Sequence, residues 1–411
     1  MDVRIRKSEV DGVISAPPSK SYTHRAFFSA ALSKKSAVKN PLISEDTIAT
    51  LNSCRKMGAE FIRKSENFFF YGTDEIKSGY YSAMNSGTTL RVLISLLSLS
   101  PHTSVLDGDE SLRKRPNREL AIALRNLGAK IFGDELFRAP LRLRGVINAG
   151  NVEISGKSSQ FVTSLLFALP LLDRESSVIV GRMKSKPYID ITVDVLERSG
   201  VKIDVENGIY YIFPSDFGLK EFAIPPDYSS MSYLISAGLL SGKVVIDNAF
   251  DSKQGDRKFL EIAKEMGGRI KKKGEKIFAE KSELEGIEFD AGDTPDLVPT
   301  VSVLGAVAKG ETRIFNAEHL RIKETDRIKT VVDNLRRLGI HAEEREDGLI
   351  VRGGEIKRGL IDSYGDHRIA MAFSLLGLLG EIVVKNAECV GISYPKFYDD
   401  LRKIGGRVEV L

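Results

Sequence analysis

The sequence predicts an α/β protein built of two similar domains, and three observations carry that prediction. A short pattern, in which an amphipathic stretch ends at a glycine and a β-type segment follows, recurs six times along the chain. The recurrences are 70, 72, 67, 72 and 66 residues apart, which is too even for chance. Proline-rich segments interrupt the pattern at two places. The six glycines are Gly58, Gly128, Gly200, Gly267, Gly339 and Gly405.

Each of these glycines marks the end of a predicted helix. Glycine favours the left-handed conformation that closes many helices, and basic residues in the last turn suit the negative helix end. The alternation that follows, as in residues 407–410, is typical of a strand with one buried face. We therefore predict six αβ units of about 70 residues, arranged as two domains of three.

Several elements can be predicted inside these units. A helix over residues 44–57 begins with a capping serine and an acidic first turn. Apolar helices follow over residues 87–99 and 158–171, the second ended near Pro170, while residues 178–181 and 244–247 are typical of short buried strands.

The chain is expected to pass twice between the domains. Residues 213–227 contain three prolines and break the repeat, and residues 16–18 form a second stiff crossing. Two crossings place the N-terminal strand with the C-terminal half of the chain. The predicted domains are residues 1–18 plus 226–411, which form a discontinuous first domain, and residues 19–225, which form the second.

Composition argues against several classes of protein. The 60 Lys and Arg residues nearly balance 56 Asp and Glu residues, and a net charge of +4 is small for a nucleic-acid binder. Cys54 and Cys389 lie in no metal-binding or disulfide motif, which fits a reducing cytoplasm. Apolar stretches such as residues 373–379 are too short to cross a bilayer, and the N-terminus is not a signal peptide. We expect a cytoplasmic protein with no cofactor, no metal, no nucleic acid and no membrane partner.

Seven short motifs combine small or hydroxyl residues with Arg or Lys, most of them where predicted helices begin. Helix N-termini present unpaired N–H groups and partial positive charge, so they favour phosphate and carboxylate groups. Most of the motifs, taken alone, are more simply helix caps, turns or solvated charged faces, but together they predict an anion site. The motifs span residues 17–25, 85–91, 112–116, 157–161, 184–190, 321–327 and 364–368.

The last two motifs and one carboxylate extend this prediction. Lys323 and Arg327 are four residues apart and would share one helical face, with Glu324 adjacent to it. Arg368 directly precedes an apolar helix. Asp296 begins another, where a lone carboxylate is more often a cap than a base.

In their order along the chain, the motifs resemble those of the 5-enolpyruvylshikimate-3-phosphate synthase family. The match runs from Ser19 to Pro395 through SKSYTHRA, NSGTTLR, KRP, SSQF, SKPYID, LRIKETDR and YGDHRIAM. The resemblance implies two domains of three βαβαββ units each, with helices inside and sheets outside, and an active site in the cleft between them. It implies a monomer that transfers the enolpyruvyl group of phosphoenolpyruvate to the 5-hydroxyl of shikimate 3-phosphate, releasing phosphate.

The resemblance also implies a role for each motif. The catalytic residues would be Asp296, Glu324 and Lys20. The residues implied to bind shikimate 3-phosphate are Lys20, Ser21, Arg25, Ser158, Ser159, Gln160, Ser185, Tyr188, Asp296, His319 and Lys323. The residues implied to bind phosphoenolpyruvate are Lys20, Gly87, Arg115, Gln160, Arg327 and Arg368.

Two positions depart from the family pattern. The family often has Asn where this chain has His319, which makes that contact pH-sensitive. Some members have a Lys where this chain has Ile392, so either Lys396 replaces it or the phosphate contact is lost.

The chemistry requires a proton for the methylene carbon of phosphoenolpyruvate and attack by the 5-hydroxyl on the adjacent carbon. Asp296 is the candidate base on the hydroxyl, and Lys20 or Glu324 is the candidate acid. General acids and bases each contribute roughly 10²–10⁴-fold.

Three alternatives are weighed against this hypothesis. A UDP-N-acetylglucosamine enolpyruvyl transferase shares the fold and the donor, but that family usually carries a reactive cysteine near the position of Arg113–Arg115, and this chain has none there. A non-catalytic nucleic-acid-binding repeat protein would interleave aromatic and basic residues, which this chain does not. A structural αβ-repeat scaffold leaves the ordered motifs unexplained.

Overall fold

The computed structural model describes all 411 residues, which form two compact units. Unit 1 comprises Met1–Pro17 and Pro225–Leu411, and unit 2 comprises Pro18–Ile224. Each unit has a hydrophobic core of its own. The α-helices are α1 (Lys20–Ala31), α2 (Glu45–Met57), α3 (Gly87–Leu97), α4 (Arg118–Asn126), α5 (Ser159–Ala168), α6 (Lys186–Arg198), α7 (Tyr228–Ser241), α8 (Phe259–Glu265), α9 (Val298–Gly305), α10 (Arg327–Arg337), α11 (His367–Leu376) and α12 (Phe397–Lys403).

Twenty-four strands accompany the helices. Those of the first half of the chain are β1 (Val3–Arg6), β2 (Val10–Ser15), β3 (Lys35–Lys39), β4 (Glu60–Lys64), β5 (Asn67–Tyr71), β6 (Tyr80–Ser82), β7 (Ser104–Asp107), β8 (Lys130–Phe132), β9 (Leu141–Arg144), β10 (Asn151–Ile154), β11 (Ser176–Val180), β12 (Ile203–Glu206), β13 (Ile209–Ile212) and β14 (Glu221–Ala223). The others are β15 (Gly242–Asp247), β16 (Arg269–Lys273), β17 (Lys276–Glu280), β18 (Glu288–Asp290), β19 (Glu311–Phe315), β20 (His341–Arg345), β21 (Gly348–Arg352), β22 (Gly359–Asp362), β23 (Glu381–Lys385) and β24 (Arg407–Val410).

The strands form six four-stranded sheets, three in each unit. The run β6–α3–β7–α4–β8–β9 is one complete βαβαββ repeat, and its sheet has the strand order β6-β7-β9-β8. β6 and β7 are parallel, whereas β9 pairs antiparallel with both β7 and β8. The other five sheets have the same arrangement, so the predicted α/β class and its βαβαββ repeats are confirmed.

Three of the sheets are completed by strands that come from far along the chain. β14 joins β3 in unit 2, and β2 pairs with β15 in unit 1 over six residues. β1 lies between β23 and β24, where Val3 is paired with both Val384 and Val410. Val3 and Ile5 are fully buried there, and each such side chain contributes about 1.5–3 kcal/mol to folding.

The six glycines of the sequence pattern all end helices in the left-handed region, with φ between 81° and 120°. Each is followed by the edge strand of a sheet, namely β4, β8, β12, β16, β20 or β24. The predicted start of α2 is also correct, because Ser44 and Thr47 form a reciprocal capping box.

The helices pack on one another inside each unit. In unit 1, α7, α9 and α11 contact each other, and every residue of α7 and α11 is buried. In unit 2, α5 contacts both α3 and α6, and α1 contacts both α6 and α2. The apolar side chains of these helices belong to the two hydrophobic cores.

Two proline-containing segments add detail to the predicted elements. The helix predicted over residues 158–171 ends as α5 at Ala168, because Pro170 cannot continue its hydrogen bonds, and a 3₁₀ turn over Leu169–Leu171 follows. The proline-rich residues 213–227 also contribute a strand, β14.

Candidate active site

Lys20 begins α1 in unit 2, and Ser19 separates it from the stiff Pro17–Pro18 pair. Ser19 caps the helix by accepting a hydrogen bond from the N–H of Tyr22. The Lys20 Nζ lies 2.9 Å from Oδ2 of Asp46 on α2, and both side chains are largely shielded from solvent. The ammonium group is therefore held at a helix N-terminus by a neighbouring helix.

Arg25 follows one turn later and is almost completely buried. Its guanidinium donates to Thr192 Oγ1 at 2.8 Å and to the carbonyl oxygen of Tyr188 at 3.0 Å, both on α6. It also donates to the carbonyl oxygen of Ser21 at 2.8 Å. Burial lowers the pKa of Arg25 to about 10. Arg25 thus joins α1 to α6, close to two other predicted ligands.

Gly87 opens α3 and lies among polar side chains from three elements. A Cβ atom at this position would lie 2.6 Å from Nη1 of Arg91, 3.2 Å from Nη1 of Arg115 and 3.3 Å from Oε1 of Gln160. No larger residue fits without moving these groups. Two guanidinium groups beside a helix N-terminus form an arrangement suited to a phosphate or carboxylate.

Arg91 was not among the predicted ligands, although it is the last residue of the NSGTTLR motif. Its Nη1 donates to Oε1 of Gln160 at 2.5 Å, and its Nε donates to Oδ1 of Asn117 at 3.2 Å. The signal was present, because Arg91 is four residues after Gly87 and so shares its helical face.

The basic cluster over residues 112–116 is divided by the fold. Arg113 pairs with Asp107 and Lys114 pairs with Glu110, both with exposed cationic side chains. Arg115 is instead 7% exposed and reaches Gly87. Only one of the three basic residues is thus positioned at the site.

The predicted hydroxyl ligands lie where α5 and α6 begin. Ser158 is the N-cap of α5, and Ser159 is its first residue. Ser185 is the N-cap of α6, in the left-handed conformation with φ 56°, and its carbonyl oxygen accepts from the N–H of Tyr188. A non-glycine residue held at positive φ is uncommon and recurs at functional sites.

Arg327 is the centre of a buried ion cluster in unit 1. Its Nε lies 2.8 Å from Oδ2 of Asp366, its Nη1 lies 3.1 Å from Oδ1 of Asp296, and its Nη2 lies 2.7 Å from Oε2 of Glu324. Nη2 of Arg368 lies 2.6 Å from Oδ2 of Asp296. Burial alone would lower the pKa of Arg327, but the carboxylates, Asp366 foremost, raise it above its ordinary value. The two predicted proton-transfer carboxylates are therefore joined by one guanidinium.

The predicted helical face shared by Lys323 and Arg327 is wrong. The α10 helix begins only at Arg327, capped by Asp326, while Lys323 ends a 3₁₀ turn that spans Glu318–Ile322. Glu324 reaches Arg327 from the connecting loop. His319 lies in the same 3₁₀ turn and is 9% exposed.

Asp256 is a buried carboxyl that none of the sequence motifs indicated. It accepts a hydrogen bond from the hydroxyl of Ser229, which also accepts from Nε2 of Gln254 at 3.0 Å. Burial, and next the charge of Asp296, raise the pKa of Asp256 to about 7, although Arg368 opposes that shift. Only the tertiary structure brings Asp256 close to the cluster around Arg327.

Ile392 occupies the position where some family members have a lysine. It is 5% exposed and belongs to the core of unit 1. Lys396 is exposed at the N-cap of α12. The packing therefore gives the Ile392 position a structural role.

Comparison with known proteins gives this constellation a family. A family model described as EPSP synthase (3-phosphoshikimate 1-carboxyvinyltransferase) matches residues 5–401. The chain belongs to the EPSP synthase family. A relative named 3-phosphoshikimate 1-carboxyvinyltransferase, from Archaeoglobus fulgidus, is 55% identical over 413 residues, covering 99% of each chain. A relative of the same name from Methanosarcina acetivorans is 42% identical, covering 100% of this chain and 99% of the relative.

Solved structures agree with this family membership. An EPSP synthase from Acinetobacter baumannii superimposes with a TM-score of 0.84 at 27% identity, and the match covers 100% of both chains. The enolpyruvyl transferase NikO from Streptomyces tendae has a TM-score of 0.81 at 17% identity over 99% of this chain and 98% of that one, which shows likeness of fold alone.

The comparisons confirm the family, the fold class and the enzyme activity that the motifs predicted. None of the helices has the length and apolar character that crossing a membrane requires.

Proposed function

We propose that the residues described above transfer the enolpyruvyl group of phosphoenolpyruvate to the 5-hydroxyl of shikimate 3-phosphate. One observation carries the assignment of their roles. Arg327 joins Asp296 and Glu324, the two carboxylates to which family resemblance gives the proton transfers, at 3.1 and 2.7 Å. A pair of carboxylates held on one buried cation suits a reaction that must both remove and deliver protons.

Unit 2 supplies the groups proposed to bind phosphoenolpyruvate. Gly87 leaves open the space that a Cβ would fill, and the guanidinium groups of Arg91 and Arg115 border it. Gln160 accepts from Arg91 and donates to Thr88 Oγ1 at 3.2 Å, so its amide has a fixed orientation. Charge-assisted hydrogen bonds to phosphate oxygens are about twice as strong as neutral ones, which favours a phosphate here. Lys20 is the further cation proposed to contact this substrate.

Unit 1 supplies the cations proposed for the rest of phosphoenolpyruvate. Arg327 and Arg368 are both almost buried, with 1% and 8% of their side chains exposed. Planar guanidinium groups match a carboxylate in two-point geometry. In the present structure Asp296 holds both of them, so substrate binding must share or exchange those contacts.

The proposed ligands of shikimate 3-phosphate come mainly from helix N-termini. Those in unit 2 lie on or next to α1, α5 and α6, where unpaired N–H groups add to the hydroxyl donors. Replacing one of these ligands should weaken binding of the substrate that it is proposed to contact. The ligands are Lys20, Ser21, Arg25, Ser158, Ser159, Gln160, Ser185, Tyr188, Asp296, His319 and Lys323.

The proposed steps balance as an addition followed by an elimination. Asp296 removes the proton of the 5-hydroxyl, whose oxygen bonds to the central carbon of phosphoenolpyruvate while Lys20 or Glu324 protonates the methylene carbon. The tetrahedral adduct then loses phosphate by cleavage of its carbon–oxygen bond. A methyl proton returns to the deprotonated Lys20 or Glu324, which restores the double bond, and the proton held by Asp296 leaves with the phosphate. The arginines stabilise the negative charge throughout.

The decisive experiment is a phosphate-release assay in which each substrate is omitted in turn. Release is expected only when phosphoenolpyruvate and shikimate 3-phosphate are both present. Replacing the acceptor by UDP-N-acetylglucosamine tests the sister reaction, for which no release is expected. Phosphate release from phosphoenolpyruvate with UDP-N-acetylglucosamine but not with shikimate 3-phosphate would contradict the proposal. Phosphate release from phosphoenolpyruvate without any acceptor would contradict it too.

We also infer that the protein works as a monomer in the cytoplasm. Cys54 and Cys389 are both buried free thiols, which suits a reducing compartment. Sedimentation of the purified protein tests the monomer, because a dimer would double the mass of 45.4 kDa.

A further inference from the structure

A chain of buried side-chain hydrogen bonds joins the first three helices of unit 2. Nδ1 of His24 on α1 lies 2.7 Å from Oγ1 of Thr50 on α2. That oxygen lies 2.6 Å from Oγ1 of Thr89 on α3, which donates to Oγ of Ser86 at 2.7 Å. All four residues are at most 1% exposed. The reaction steps proposed above use none of them.

The protons of this chain can be arranged in only one way. The single hydroxyl proton of Thr89 is donated to Ser86, so the Thr50–Thr89 hydrogen bond must use the proton of Thr50. Thr50 can then only accept from His24, which places the ring proton on Nδ1. Burial, and next the charges of Lys20 and Arg25, lower the pKa of His24, so the ring is neutral and carries one proton.

The chain ends at the residue that caps the Gly87 helix. The hydroxyl of Ser86 accepts from the N–H of Thr89 at 3.2 Å, and Gly87 lies between these two residues. At the other end, His24 lies one turn after Lys20 on the same helix. The chain therefore connects the backbone that carries Lys20 to the backbone that carries Gly87 and Arg91.

We infer that His24, Thr50, Thr89 and Ser86 are positioning residues that hold the N-terminal turn of α3 in register with α1 and thereby set the affinity for phosphoenolpyruvate. This inference rests on the proposed roles of Gly87 and Lys20. Hydrogen bonds are stronger in the buried, low-dielectric interior, and a displacement of 1 Å at an anion site lowers its affinity substantially. α1 itself is separately held to α6 by Arg25. Breaking the chain therefore loosens only the N-terminal turn of α3, because Ser164 of α5 still holds Ser95 later in that helix, and it leaves α1 in place.

The test compares three substitutions of buried hydroxyl residues. Thr89→Val removes the hydroxyl at almost constant volume, and Thr89→Ser retains it. Ser29→Ala is the matched control, because Ser29 also makes a buried hydroxyl pair, with Ser199, but at the far end of α1. All three are assayed for kcat, for KM of each substrate, and for the urea midpoint of unfolding.

Thr89→Val is expected to raise KM for phosphoenolpyruvate about five- to tenfold, the scale of one lost buried hydrogen bond. KM for shikimate 3-phosphate should rise less. Thr89→Ser, which retains the hydroxyl, should have the wild-type KM for phosphoenolpyruvate. Ser29→Ala should lower the urea midpoint alone. The inference is overturned if Thr89→Val leaves KM unchanged, or if Ser29→Ala raises KM equally.

Two further measurements separate this inference from the proposed function. If the wild-type protein releases no phosphate, the proposed function fails, and calorimetric binding of phosphoenolpyruvate to the same variants still tests the chain. A ¹⁵N spectrum of the imidazole rings, assigned with His24→Asn, should show the Nδ1-protonated form. The Nε2-protonated form would overturn the proton arrangement.

Discussion

Arg368 and Asp296 lie 2.6 Å apart, from Nη2 to Oδ2, at the N-terminal ends of two buried helical segments of unit 1. The second oxygen of Asp296 contacts Arg327 at 3.1 Å. One carboxylate is thus shared by two guanidinium groups that the sequence separates by 41 residues. This arrangement sets the expectations for substitutions on both sides of the cluster.

Arg327→Met should destabilise the protein strongly. It would leave Asp366 and Glu324 buried or half-buried without the cation that contacts both, and breaking a buried ion pair costs about 3–5 kcal/mol. Urea unfolding measures the loss. Arg313→Met removes an exposed ion pair with Glu288 and should have no measurable effect. Equal effects of the two substitutions would show that the cluster does not stabilise the fold.

Asp296→Asn and Glu324→Gln should each lower kcat by roughly 10²–10⁴-fold, because each removes a group proposed to transfer a proton. Both variants should still bind phosphoenolpyruvate and shikimate 3-phosphate in calorimetry. The matched control is Glu288→Gln, an exposed carboxylate outside the cluster. Near-normal turnover in both active-site variants would end the proposed assignment of proton transfer.

Gly87→Ala should weaken binding of phosphoenolpyruvate. The added methyl would lie 2.6 Å from Nη1 of Arg91, so that guanidinium must move, and the open space beside Arg115 is filled. We expect KM for phosphoenolpyruvate to rise at least tenfold, on the scale of the 1–3 kcal/mol cost of overpacking. Gly380→Ala adds a methyl with no atom within 4 Å and should change nothing. An unchanged KM in Gly87→Ala would remove this glycine from the site.

Asp256→Asn should reduce the loss of unfolding free energy that occurs as the pH rises. The pKa of Asp256 is about 7 in the folded protein against an ordinary 3.8, so the folded state keeps a proton that the unfolded state loses. The stabilisation from that proton is complete below pH 3.8 and is lost as the pH rises through about 7. Three pKa units correspond to about 4 kcal/mol. This is the upper limit for how much the unfolding free energy of the variant can gain on that of the wild type between pH 4 and pH 8.

The measurement is the difference in unfolding free energy between wild type and Asp256→Asn, followed from pH 4 to pH 8. Asparagine can still accept the hydrogen bond that Ser229 donates. The difference should therefore be small at pH 4 and should favour the variant at pH 8. A pH-independent difference would show that Asp256 is ionised in the folded protein.

Local rules were enough to predict the repeats from the sequence. The helix-ending glycines such as Gly58 and Gly405 needed only the steric fact that other residues avoid positive φ. The same rules predicted Ser44 as the cap of α2. They failed for Lys323, where a charged run that matches a helical period is a 3₁₀ turn and a loop, because Asp326 caps α10 three residues later.

The candidate site was predicted only as far as its motifs. Gly87, Arg115 and Gln160 belong to three separate motifs, and the structure brings them together around one position. The sequence did not indicate a role for Asp256 or His24, because the role of a lone carboxyl or imidazole depends on the groups that pack against it.

What the sequence by itself determined is the repeated αβ unit, the family and the set of residue types at the helix starts, since each depends on neighbours within a few positions. The tertiary structure alone decided which of those charges are buried and paired, as with Arg115 against Arg113 or Asp296 against Arg327. The physical reason is that Coulomb and hydrogen-bond energies depend on distance and burial in space. Residues far apart in the chain come close together and become buried only when the helices pack.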